Sequence, residues 1–176
     1  MGQKEKVYSE VTEAREMIKQ LCEKYPDELW AVRPENVSVL GVENKKRGKK
    51  NRTLAKIIPI KGAEKAIMKL NNIETRYIIE IYWADWREWK ERFKQWVVFH
   101  ELQHIGTEVG KTVKHDCEDF RMIIDVLGVA WTEKPDELPN LLGEEKIKFD
   151  LTLRANMVEY QEENKEKEES DEIFDD

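Results

Sequence analysis

Apolar residues recur at helical spacing over residues 8–24 (YSEVTEAREMIKQLCEK), where Val11, Ala14, Ile18, Leu21 and Cys22 share a face. The spacing predicts an amphipathic helix ending at Tyr25-Pro26, because a residue before proline avoids the α region. Alternation then predicts a strand over 36–42 (NVSVLGV), and a second over 53–60 (TLAKIIPI) with Pro59 at an edge or an end. A short helix is expected over 62–70. The β-branched and aromatic run 77–82 (YIIEIY) reads as a well-buried strand. Over residues 85–105, Trp86, Trp89, Phe93, Val97, His100 and His104 follow one another at steps of three or four. At about 100° per residue they form one stripe, so a single long helix is predicted, with Asp85 as N-cap and Glu88 completing a capping box. A further helix is expected over 117–127, capped by Asp116 and stopped by Gly128, and a last strand over 146–153.

The chain has 176 residues, the size of roughly one domain. No apolar run approaches the ~20 residues that span a bilayer, and the first residues lack the apolar core of a secretory signal. Two cysteines, Cys22 and Cys117, do not make a disulfide framework. The expectation is a reduced, cytoplasmic protein with no membrane contact. Charge is unevenly placed. Residues 161–176 hold nine acids and two lysines, which accounts for the whole net charge of −7 and leaves the first 160 residues neutral. The organisation expected is therefore a domain over 1–160 and a disordered acidic tail over 161–176. Lys45, Lys46, Arg47, Lys49, Lys50 and Arg52 crowd into eight residues, a solvated hairpin loop or a weak contact for DNA phosphates.

The chemistry lies in the aromatic stripe. His100-Glu101-Leu102-Gln103-His104 is H-E-x-x-H on a predicted helix. Histidines one turn apart can both reach one ion at a Zn–N distance of about 2.0–2.1 Å, and the glutamate beside them can take a proton from water. The chain has three histidines, all within residues 100–115, and the stripe points two of them at apolar neighbours. A buried imidazole needs a partner, and a metal satisfies two at once. A catalytic zinc takes three protein ligands, and His115 is the natural third, with Gly106 and Gly110 allowing the chain to reverse. The carboxylates Glu118, Asp119 and Asp125 stand as alternatives. Glu108 is too close to the helix end, and Asp116 could orient an imidazole from outside the ligand set.

The segment VVFHELQHIGTEVGKTVKHDCEDFRMIIDVLGVAW resembles the metallopeptidases encoded by bacteriophages and, more distantly, SprT-like and Spartan-like zinc proteases. The matching residues are His100, Glu101, His104, His115, Asp116, Asp119 and Phe120. The resemblance implies an α+β, zincin-like single domain, with a small mixed sheet packed on the helix that carries the motif. It also implies one zinc per chain on His100, His104 and His115, Glu101 as general base, and, for a phage-encoded protein, the host cytoplasm. Metzincins place the third histidine six residues after the second, where this chain has Gly110, and peptide deformylase needs an upstream cysteine ligand.

These residues point to metal-assisted hydrolysis of a protein or peptide substrate. The strand 77–82 is expected to offer an edge to an extended substrate, and Tyr77 and Tyr82 are candidates for the oxyanion. Two other classes stay open. One is a nucleic-acid-associated factor gripping phosphate through 45–52. The other is an interaction protein working through its acidic tail with a non-catalytic zinc.

Overall fold

A computed structural model of the chain describes residues 7–43, 53–108, 110–115 and 119–152. The strands are β1 (Val7–Glu10), β2 (Val37–Glu43), β3 (Ala55–Pro59) and β4 (Tyr77–Tyr82), and the helices are α1 (Thr12–Lys24), α2 (Gly62–Leu70), α3 (Trp83–Glu88), α4 (Glu91–Gln103) and α5 (Arg121–Leu127). The strands form one mixed sheet in the order β1-β2-β4-β3: β2 runs parallel to β4, and β1 and β3 are antiparallel to their neighbours. Alternate residues Val37, Val39, Ile79 and Ile81 are buried with Ile18 and Leu21 of α1 and with Trp96 and Phe99 of α4. The result is the expected α+β architecture, with a small mixed sheet backed by the helix that carries H-E-x-x-H.

The strand 77–82 is not an edge. It pairs with β2 through Val37–Val42 and with β3 through Ala55–Pro59. A strand flanked on both sides reads as the near-continuous apolar run seen here. The free edge next to α4 belongs to β3. Ile60 donates to Arg76 O on the β4 side at 2.8 Å, so by alternation Ala55, Ile57 and Pro59 turn their main-chain groups outward. Pro59 has no N–H, and it stands where none is needed.

Three other expectations are corrected. The helix expected over 8–24 begins at Thr12, because Tyr8 and its neighbours pair with β2 and Val11 donates to Val39 O at 3.1 Å. The helix expected over 85–105 breaks at Trp89 and Lys90, both extended. Tyr82 replaces Asp85 at its start and no side-chain cap forms. The break lets Trp86 bury completely and donate to Glu13 Oε2 of α1 at 3.2 Å, with Trp89 edge-on to both Trp86 and Phe93. Residues 146–150 form no strand. Phe149 instead stacks on Phe99 at 5.1 Å, and Ile147 N donates to Tyr25 Oη at 3.4 Å. The helix 62–70 is where the pattern puts it. Gly128, with φ of +81°, ends α5 as expected, its N–H bonded to Ile124 O at 2.7 Å. The tail 161–176, the basic run 45–52 and Asp116-Cys117-Glu118 lie outside the described residues. Among the described residues no helix is long and apolar enough to cross a membrane.

Candidate metal centre

The site is built at the C-terminal end of α4. His100 and His104 stand one turn apart with ring centroids at 5.3 Å, and His104 is the residue that ends the helix. The chain then folds back on itself. Ile105 bridges Thr112, and Val113 N donates to His104 O at 2.8 Å. Gly106 is required there, since a Cβ would sit 2.6 Å from Val113 Cγ2. The reversal delivers His115 Nε2 to 3.1 Å from His100 Nε2 and 3.2 Å from His104 Nε2.

The donor set suits a metal. His104 Nδ1 lies 2.6 Å from Val113 O, an oxygen that can only accept, so Nδ1 carries the proton and Nε2 a lone pair. His100 Nδ1 lies 2.9 Å from Asp119 Oδ1, which leaves its Nε2 in the same state. Two lone pairs therefore converge on the third imidazole, and a cation between them resolves the conflict. Three nitrogens held tetrahedrally at zinc distance stand roughly 3.3 Å apart, close to what is seen. Burial, aided by His100 and His115, pushes His104 down to about 4, so it stays neutral and ready to ligate.

Around the imidazoles a second layer fixes their orientation. Asp119 Oδ1 also accepts from Phe120 N at 2.6 Å, and Oδ2 accepts from Trp131 Nε1 at 2.6 Å. Burial alone would raise the Asp119 carboxyl, but hydrogen bonds from His100, Trp131 and Phe120 outweigh it and hold the group below the usual range. The Phe120 ring meets all three imidazoles edge-on, at 4.7–5.4 Å between centroids. Sequence reasoning gave the orienting role to Asp116 and counted Asp119 among rival ligands. The structure places Asp119 behind His100, and the histidines are the cluster of metal-binding donors among the described residues. Asp125 is exposed on α5 and Glu108 pairs with Lys111 at 2.7 Å, both apart from that cluster. Trp131 was missed, because twelve residues separate it from its acceptor and no periodicity links them.

A family model described as "Putative phage metallopeptidase" matches residues 6–144. The chain belongs to that family. No curated protein and no solved structure matches it. Membership in a metallopeptidase family implies a metal ion and a protein or peptide substrate, and the three histidines are the residues able to hold the ion. A cleft of about 510 Å³ lies over this cluster, walled by Leu54, Ala55 and Ile57 of the β3 side, Val97, Val113 and Trp131.

Glu101 opens onto the same cleft while only 5% exposed. Burial raises its carboxyl to about 7, against the pull of His100 and a hydrogen bond from Ile57 N–H. That amide is one of the outward-facing groups of β3, so the edge strand itself holds the glutamate. The two tyrosines considered for the oxyanion do not line the cleft.

Proposed function

We propose that this phage metallopeptidase cleaves peptide bonds using one zinc on His100, His104 and His115, with Glu101 as general base. The observation that carries this reading is the convergence of three imidazole nitrogens beside a buried carboxyl poised near neutrality. When bound, the ion supplies Lewis-acid polarisation of the scissile carbonyl and lowers the pKa of water toward neutrality. Glu101 accepts a proton from the attacking water and delivers it to the departing amine. Burial raises this carboxyl above the usual range, which makes it the stronger proton acceptor. Asp119 and Trp131 hold the His100 ring so that its Nε2 stays aimed into the cleft. The outward main-chain groups of Ala55 and the carbonyl of Ile57, beside the cleft, support an extended substrate pairing with β3 by strand addition, the Ile57 N–H being held by Glu101.

The test is Glu101→Gln. The variant is expected to fold and to retain its zinc, while cleavage of an unfolded protein such as casein falls ~10²–10⁴-fold. Wild-type cleavage is expected to stop with phenanthroline. Chelator-resistant cleavage at the wild-type rate in the variant would show that the chemistry is done elsewhere.

A further inference from the structure

Tyr77 has no part in the chemistry above, yet its hydroxyl is placed with care. The residue opens β4, is 4% exposed, and is locked between Val37 of β2 and Pro59 of β3. Its hydroxyl leaves the sheet and enters the loop between the second and third histidines. Gly110 N donates to it at 3.0 Å, and Glu108 O and Lys111 O each lie 3.4 Å away. A phenol has one proton to give and lone pairs to receive, so it can accept the amide and donate to one of the carbonyls. We propose that Tyr77 is a positioning residue for the third metal ligand: its hydroxyl is the template on which Glu108, Gly110 and Lys111 are held between His104 and His115, and it thereby sets the affinity and residence time of the metal. The inference rests on reading His100, His104 and His115 as ligands.

The loop's own bonds show why a template is needed. Its base is tied by the Ile105–Thr112 bridge and by Val113 to His104. Its tip is a turn from Lys111 N to Glu108 O at 3.2 Å, with Gly110 in the left-handed region at φ of +87°. Thr107, Glu108, Lys111 and Thr112 are exposed, so this part of the loop lies at the surface. Two ligands sit on a rigid helix, whereas the third sits beyond this loop. The metal site is as preorganised as the loop is, and each alternative loop conformation lowers the effective concentration of His115 at the other two nitrogens. The Tyr77 ring, held by the central strand, transmits the rigidity of the sheet to that tip.

Zinc affinity, measured by competition with a fluorescent chelator, reads this without reference to catalysis. Tyr77→Phe is expected to keep its circular dichroism spectrum and to lose roughly 10–100-fold in zinc affinity, chiefly through faster release. The visible spectrum of the Co(II)-loaded variant is expected to weaken as the third nitrogen is partly lost. The discriminating measurement is a double-mutant cycle with His115→Ala. If Tyr77 acts through His115, Tyr77→Phe has no further effect once that imidazole is gone. Tyr77→4-aminophenylalanine, which both donates and accepts, is expected to restore affinity. Should Tyr77→Phe fail to fold, Tyr77→4-methylphenylalanine fills the same volume without hydrogen bonding and takes its place in the cycle. Unchanged zinc affinity in the phenyl variants, or an equal loss in the His115→Ala background, overturns the proposal. Unchanged affinity in His115→Ala itself overturns instead the ligand assignment beneath it.

Discussion

Asp119 shows how much of the histidine cluster's geometry is set one bond beyond the imidazoles. Its two oxygens take hydrogen bonds from His100, Trp131 and the Phe120 amide, so removing its charge loosens one ligand without deleting any. Asp119→Asn is expected to weaken zinc binding ~10–100-fold, whereas Asp125→Asn leaves it unchanged; a chelator titration of both separates orientation from mere local acidity. At this scale the sequence brings out the three histidines that the fold draws together, and it offers Asp116 where the fold sets Asp119 behind His100. Three histidines confined to sixteen residues, two of them at helical spacing, are visible along the chain. An indole twelve residues beyond its carboxylate is not, because nothing local encodes that contact. Asp119 lies three residues beyond Asp116 in the sequence, and only the fold brings it behind His100.

The helices that back the site are joined at Glu13. Its carboxylate accepts from Trp86 Nε1 of α3 at 3.2 Å and from Lys94 Nζ of α4 at 2.8 Å. Burial alone would raise its pKa, but the bonds from Lys94 and Trp86 outweigh it and leave the value below the ordinary one. A carboxyl whose folded pKa is depressed stabilises the fold above its unfolded pKa of 4.5 and loses that contribution as pH falls through the folded value. Glu13→Gln is therefore expected to destabilise the fold at pH 7 by on the order of 1 kcal/mol or less, since the group is half-exposed, which is read as a small drop in melting temperature. The gap between variant and wild type should close as pH falls from the unfolded value of 4.5 through the lower folded one, and melts recorded across the acid and neutral range check both the size and the sign. Element types were largely legible: α2, β2, β3 and β4 lie where the periodicity puts them. The break between α3 and α4 was not, because Trp86, Trp89 and Phe93 keep helical spacing straight through it. The edge position was misread for a related reason. Strand order depends on pairings between distant segments, and only Pro59 hinted that β3 is the outer strand.

Across the whole molecule the two ends of the described chain are fastened to each other over the back of α4. Tyr25 donates to Leu141 O at 2.9 Å, Lys146 pairs with Glu28 at 3.3 Å, and Trp96 donates to Pro139 O at 2.9 Å. Phe149 completes the layer against Phe99. A chain ending at residue 136 loses all of these contacts and is expected to expose aromatic surface, read as strong binding of an anilinonaphthalene dye and loss of tight zinc retention. Deleting residues 161–176 is expected to change neither the melting temperature nor the zinc content, since that run holds nine acids and too few apolar side chains to build into a core. This closure was the least legible level in the sequence, where residues 146–153 read as a strand and gave no sign that they cover a helix. It also bears on timing during synthesis. Translation delivers all three histidines to the ribosome exit well before the segment that seals Trp96 and Phe99. A nascent chain thus carries the complete ligand set while the scaffold behind it is still open, and the cleft is assembled only once nearly the whole domain has left the ribosome.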